Sequence, residues 1–193
     1  MIVPSDHQEI VEELSRLEGE VQALVAPLAD EGLNRQPEDG RGGRGWSVAQ
    51  CVDHLSRSNA IYLPALAAAV DKGRKAGRSR RDRLAPGRLG RWFVAEMEPP
   101  PRHRWKAPKR EMFPPSRHEK EALLAGFSRQ QSAVIELVRG SSDIDLSRVR
   151  FRNPMAGNLP LFNLATGFLV IAAHERRHLW QARNVLATGA ARG

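Results

Sequence analysis

The chain is poor in cysteine: Cys51 stands alone among 193 residues, which excludes an internal disulfide and fits a reducing compartment. Long hydrophobic runs are also missing. The most apolar stretch, Leu161 to Ala173, is interrupted by Asn163 and Thr166 and falls short of the roughly 20 residues that cross a bilayer. The opening MIVPSDHQEI has neither the basic nor the apolar region of a signal peptide. These absences lead us to expect a cytoplasmic protein with no membrane partner. No internal repeat is visible, and the aromatic residues are not spaced as a stacking platform for bases.

Hydrophobic content of 41% and charged content of 27% are those of a globular chain, and its length suits one domain spanning 1–193 with a single core. The net charge of +8 is unevenly placed. From Lys72 to Arg110 there are 14 Lys and Arg against 3 Asp and Glu, so the remainder is mildly acidic. A local excess of this kind is either a solvated connection or a surface for nucleic acid.

Four amphipathic stretches carry helical periodicity. Ser5 and Gln8 form a capping-box pattern ahead of Ile10, Leu14, Leu17, Val21, Leu24 and Leu28; Pro27 ends or bends this helix, and Gly32 to Gly45 reads as loop. Ser47 with Gln50 caps a second helix whose stripe is Val48, Val52, Leu55, Tyr62 and Leu66. Pro64 should kink it and it should fade after Val70. Ser116 with Glu119 opens a third, ending at Gly140. The fourth is expected from Pro160 to Gly189 after a loop with one extended piece at Val149 to Phe151. With no convincing strand pairs, the expected class is all-α: a four-helix bundle with a long basic crossover, 72–115, between helices two and three. Within the crossover only Leu89 to Met97 is periodic, and Trp92, Phe93 and Trp105 could anchor it as a lid or a plain connection.

The chemistry centres on the fourth helix. His174-Glu175-Arg176-Arg177-His178 places two histidines four apart, on one helix face and at metal-ligand spacing. Gly167, Ile171, His174, His178, Gln181 and Val185 recur at four and three residues, a seam facing the bundle interior. Cys51, His54, Ser58, Ile61 and Ala65 form a similar line on the second helix, so His54 has the geometry to complete a three-histidine site. HERRH also matches the zincin pattern, where the glutamate is the general base of a protease. No Asp, Glu or His follows His178 to serve as third ligand, which argues against a protease. Glu175 then remains a base or neighbour beside the metal, or a surface ion pair with Arg or Lys. Cys51 reads as a small core residue or a near neighbour of the metal; His7, His103 and His118 receive no role.

The segments GWSVAQCVDHLSRSNAIYLPAL and AAHERRHLWQARNVL, with their Trp-Ser opening, helix-two histidine and HxxxHxxQ, resemble the DinB-like, or YfiT-like, superfamily of bacterial four-helix bundles. The resemblance implies a three-histidine divalent metal site carried by His54, His174 and His178. Some relatives are bacillithiol S-transferases or a mycothiol-dependent maleylpyruvate isomerase, so it also implies a small-molecule substrate such as a low-molecular-weight thiol. Imidazole ligands suit zinc, nickel and iron alike. The expected function is a metal-dependent thiol S-transferase or related hydrolase, with Glu175, Tyr62 and Gln181 as candidate catalytic groups; related bundles often pair, so a homodimer is expected. The alternatives are a nucleic-acid-binding helical module using the 72–110 segment and a non-catalytic metal-binding bundle.

Overall fold

The structure, a computed structural model, describes residues 4–38, 44–79, 84–103 and 110–190. Among them the chain is mostly helical, with six α-helices and one two-stranded sheet: α1 (His7–Val25), α2 (Asp30–Asn34), α3 (Val48–Lys75), α4 (Arg88–Met97), a 3-10 turn (Arg110–Met112), α5 (Lys120–Gly140), β1 (Arg150–Asn153), β2 (Leu159–Asn163) and α6 (Leu164–Ala190). The long helices α1, α3, α5 and α6 share one core: α1 and α3 each pack on both α5 and α6. Leu14, Leu17, Leu55, Leu66, Phe127, Phe168 and Leu169 are all at most 1% exposed. Burial of such side chains, about 1.5–3 kcal/mol each, is what holds the helices together.

Local chemistry sets the helix ends, and in places it differs from the sequence expectation. The cap of α1 is Asp6, whose carboxylate accepts from the Glu9 amide, while Ser5 donates its own amide to the Glu9 carboxylate. Ser47 and Gln50 form the expected reciprocal capping box on α3. That helix passes through Pro64 and continues to Lys75, beyond Val70, with Lys72, Arg74 and Lys75 in its last turn, where cations complement the helix dipole. A short α2 occupies the start of the stretch read as loop. On α5 the cap position is Glu119 without a side-chain bond, and Gly140 is its last helical residue.

The largest local correction lies before α6. Pro160 belongs to a strand, and α6 starts at Leu164, capped by Asn163, whose Oδ1 accepts from the Thr166 amide at 3.0 Å. β1 and β2 form an antiparallel hairpin pairing Phe151 with Phe162 and carrying a bulge between Phe151 and Asn153. Both phenylalanines are buried; Phe162 stacks on Phe93 of α4, ring centroids 5.1 Å apart, and Phe151 meets Tyr62 of α3. Four-residue alternation is too brief to register in sequence, and cross-strand pairing is a tertiary event. The helix expected at Leu89 to Met97 is present as α4 and lies against α6. Gly90 permits that approach: a Cβ there would stand 2.2 Å from Thr166 Oγ1. Trp105 lies outside the described residues.

Candidate metal centre

Three imidazoles meet in the interior. His54 comes from α3, about two turns beyond its capped start, and His174 and His178 come from successive turns of α6. Their Nε2 atoms converge: His54 to His174 is 3.3 Å and His178 to His174 is 3.1 Å. The ligand atoms of the three lie within 4.8 Å of one another, and they are the group among the described residues with the makings of a metal site. His54 and His178 are buried, while His174 keeps some surface open.

One proton serves only part of this arrangement. His54 Nδ1 lies 2.8 Å from the Met112 carbonyl, which can only accept, so the neutral ring carries its proton there and presents a bare Nε2. His174 Nε2 touches both other rings. With a proton it serves one neighbour and opposes any proton on the other; without one it faces the His54 lone pair. A cation shared by three lone pairs removes the conflict, and a tetrahedral ion with metal–nitrogen bonds of about 2.0–2.1 Å spaces its ligands about 3.3 Å apart. The residues therefore fit a divalent ion. Burial lowers the pKa of His54 and lowers those of His174 and His178 strongly, with the facing imidazoles and Arg177 adding to the effect on the α6 pair. All three favour the neutral, ligating form.

The surroundings explain the orientation. Trp46, just ahead of α3, packs its ring on His54 and stacks on His178, with centroids at 4.8 and 5.8 Å. Met112 fixes the His54 tautomer through its carbonyl, the role that outer hydrogen bonds play for metal-bound histidines. His178 Nδ1 is buried without a hydrogen-bond partner; Gln181, one turn on, favours protonation of that ring without completing a bond to this atom.

Each residue between the two α6 histidines is committed elsewhere. Glu175 is fully buried rather than paired at the surface. Its oxygens accept from Asn59 Nδ2 at 3.2 Å and Gln131 Nε2 at 2.9 Å, and Gln131 also donates to the Leu14 carbonyl. Burial pushes its carboxyl up to about 8 despite those bonds. Arg176 grips Glu98 through two nitrogens and Glu13 through a third contact. Arg177 donates to the Glu96 and His103 carbonyls. Thus the motif that carries two of the three clustered histidines also ties down the segment between α3 and α5.

The structure brings His54, His174 and His178 together. It places Tyr62 farther along α3, its ring against Phe151 and its hydroxyl, raised to about 12 by burial, bonded to Asn153. Gln181 stays beside His178, and Glu175 joins the Asn59–Gln131 network. Sequence reading missed Met112, Asn59 and Gln131, which have no motif signal; Trp46 was legible as the residue before a helix cap and as half of the Trp-Ser opening. Cys51 is 1% exposed and its thiol is raised to about 12 by burial.

No curated protein and no solved structure matches the chain. The family profile described as the DinB superfamily matches residues 13–182, a span that holds every residue of the centre, and the chain belongs to the DinB superfamily.

Proposed function

We propose that the protein is a divalent-metal-dependent enzyme in which His54, His174 and His178 hold the ion and a small thiol is the substrate it activates for transfer. Its four long helices then act as a four-helix bundle, with the stretch between α3 and α5 as the crossover that closes over the site. The observation that carries the reading is the convergence of three Nε2 atoms at 3.1 and 3.3 Å, where one imidazole proton serves a single contact and leaves lone pairs facing each other at the second. Membership of a metal-binding family supports it. Three neutral ligands leave coordination positions open, as in catalytic rather than closed structural sites. When bound, the ion supplies Lewis acidity that favours the deprotonated form of a thiol or a water molecule.

The chain's own residues do the rest. Trp46 excludes water from one side of the imidazoles, and the Met112 carbonyl keeps the proton of His54 on Nδ1. The partly open His174 marks the side on which substrate approaches. Glu175, largely protonated at neutral pH and held by two amides, fits a structural role better than that of a general base. A hydrolytic reaction at the same centre is the second reading, sharing the open, partly exposed His174 side.

The test is elemental analysis of protein purified without an affinity tag. We expect a bound divalent ion in the native protein, lost in His54→Ala, His174→Ala and His178→Ala while circular dichroism stays helical. Retention of the ion by all three variants would refute the site. A panel of low-molecular-weight thiols with electrophilic acceptors then separates transfer from hydrolysis.

A further inference from the structure

The outer surface of α4 and of the β1–β2 hairpin is apolar and cationic at once. Leu89 and Trp92 on α4 are 50% and 52% exposed, and Leu159 and Leu161 on β2 are 55% and 41% exposed. The two elements are neighbours: Phe93 of α4 stacks on Phe162 of β2. On the helix, Leu89 stands one turn before Phe93, and Trp92 lies beyond Leu89 around the axis, about 100° from Phe93. On the strand, Leu159 and Leu161 point away from buried Phe162, as alternation requires. Arg88 and Arg91 are exposed on the same helix, and Arg148, Arg150 and Arg152 are exposed on β1 and just before it.

The charge is uncompensated. Residues 84–95 and 146–163 contain no Asp or Glu. The flanking acids are taken: Glu96 is buried and bonded to His103, Asp145 is buried, and exposed Asp143 pairs with Arg74. Among the described residues none of the five arginines makes an ion pair; Arg91 and Arg150 donate only to the carbonyls of Pro86 and Pro160.

We propose that this face docks on an anionic phospholipid surface. Leucine side chains and a tryptophan ring enter the boundary between headgroups and acyl chains, while guanidinium groups bind lipid phosphates. No helix among the described residues is long and apolar enough to cross a membrane, and lying against one needs no such helix. A second copy fits less well, because a twofold contact through this face sets arginines against arginines. Nucleic acid fits less well too, since three of the four exposed apolar side chains are leucines and Trp92 is a single ring, not a series of platforms for successive bases.

The experiment is co-sedimentation of the full chain with phosphatidylcholine vesicles, with and without phosphatidylglycerol, alongside mobility shifts with duplex DNA and single-stranded RNA and light scattering of the protein alone. We expect binding only where phosphatidylglycerol is present, with release of the native protein as salt is raised. The Arg88→Ser/Arg91→Ser variant should bind about thirtyfold more weakly. Trp92→Ser/Leu161→Ser should lose about tenfold or more. All four side chains are exposed, so helical content and metal content serve as controls for folding. Equal binding to neutral vesicles, vesicle binding unmoved by both variants, or nucleic-acid binding or self-association abolished by them while vesicle binding persists would each overturn the proposal. None of these readouts depends on the metal centre being catalytic.

Discussion

The residues that matter most are polar groups placed where water cannot reach. Asn59 of α3, Gln131 of α5, Glu175 of α6 and the Leu14 carbonyl of α1 form one buried network joining all four long helices. Gln131 is 0% exposed, and two of its partners have no water to replace it. Gln131→Leu should therefore destabilise the protein by about 2 kcal/mol or more, read from urea unfolding, because it strands an acid and a carbonyl rather than merely deleting a bond. Cys51 illustrates the opposite case, a potentially reactive group silenced by its position. With its thiol raised to about 12 and 1% exposed, it should resist a disulfide-forming chromogenic reagent in native protein and react fully after unfolding. Rapid native labelling would show that the start of α3 opens.

At the scale of elements, α6 is the organising piece, and small residues let others come close to it. A Cβ on Gly167 would sit 2.7 Å from Leu66 Cδ2 and 3.0 Å from the Phe151 ring, so this glycine sets the spacing of α3 and the hairpin against α6. Gly167→Ala should cost about 1–3 kcal/mol through overpacking. The chemical denaturation midpoint should fall accordingly; an unchanged midpoint would mean the contact relaxes freely. Leu66 is fully buried with fixed neighbours, which makes free relaxation the harder outcome. The same helix explains how one pentapeptide does several jobs: positions 174 and 178 meet His54 of α3, 175 bonds to Asn59 of α3 and Gln131 of α5, 176 bonds to Glu13 and Glu98, and 177 bonds to the carbonyls of Glu96 and His103.

For the whole molecule, the join between α1 and the segment that follows α4 depends on charge. Arg176 links α1 to that segment by holding Glu13 and Glu98 together. Burial tends to raise the Glu13 pKa, but hydrogen bonds from Arg16 and Arg176 outweigh it and hold the carboxyl below its ordinary 4.5. A carboxylate with a depressed folded pKa contributes stability above the unfolded value, and that contribution is lost as pH falls through the folded pKa. Glu13→Gln should accordingly be less stable than native protein at neutral pH, and the difference should shrink as the solution is made more acid than 4.5, as followed by thermal unfolding. A difference that stays constant through that range would remove Glu13 from the pH response.

Much of this was legible before any coordinates. The repeats of Leu and Val at three and four residues define the long helices, because burial of one helical face demands that period. His174 and His178 were readable as a ligand pair because i and i+4 share a face whatever the surroundings. His54 was nameable because it sits on the inward line of its own helix. What those local rules could not supply was anything that depends on distant segments meeting. The hairpin at 150–163 needs two strands to find each other, so Pro160 passed for a helix start. Glu175 resembled a surface residue beside two arginines, and only the approach of Asn59 and Gln131 from other helices made a buried carboxyl tolerable. Met112, 58 residues from His54, joins the histidine cluster through the path of the backbone alone. Sequence periodicity determined the helices and the faces on which the histidines stand; the packing of those helices decided that the three nitrogens share one point.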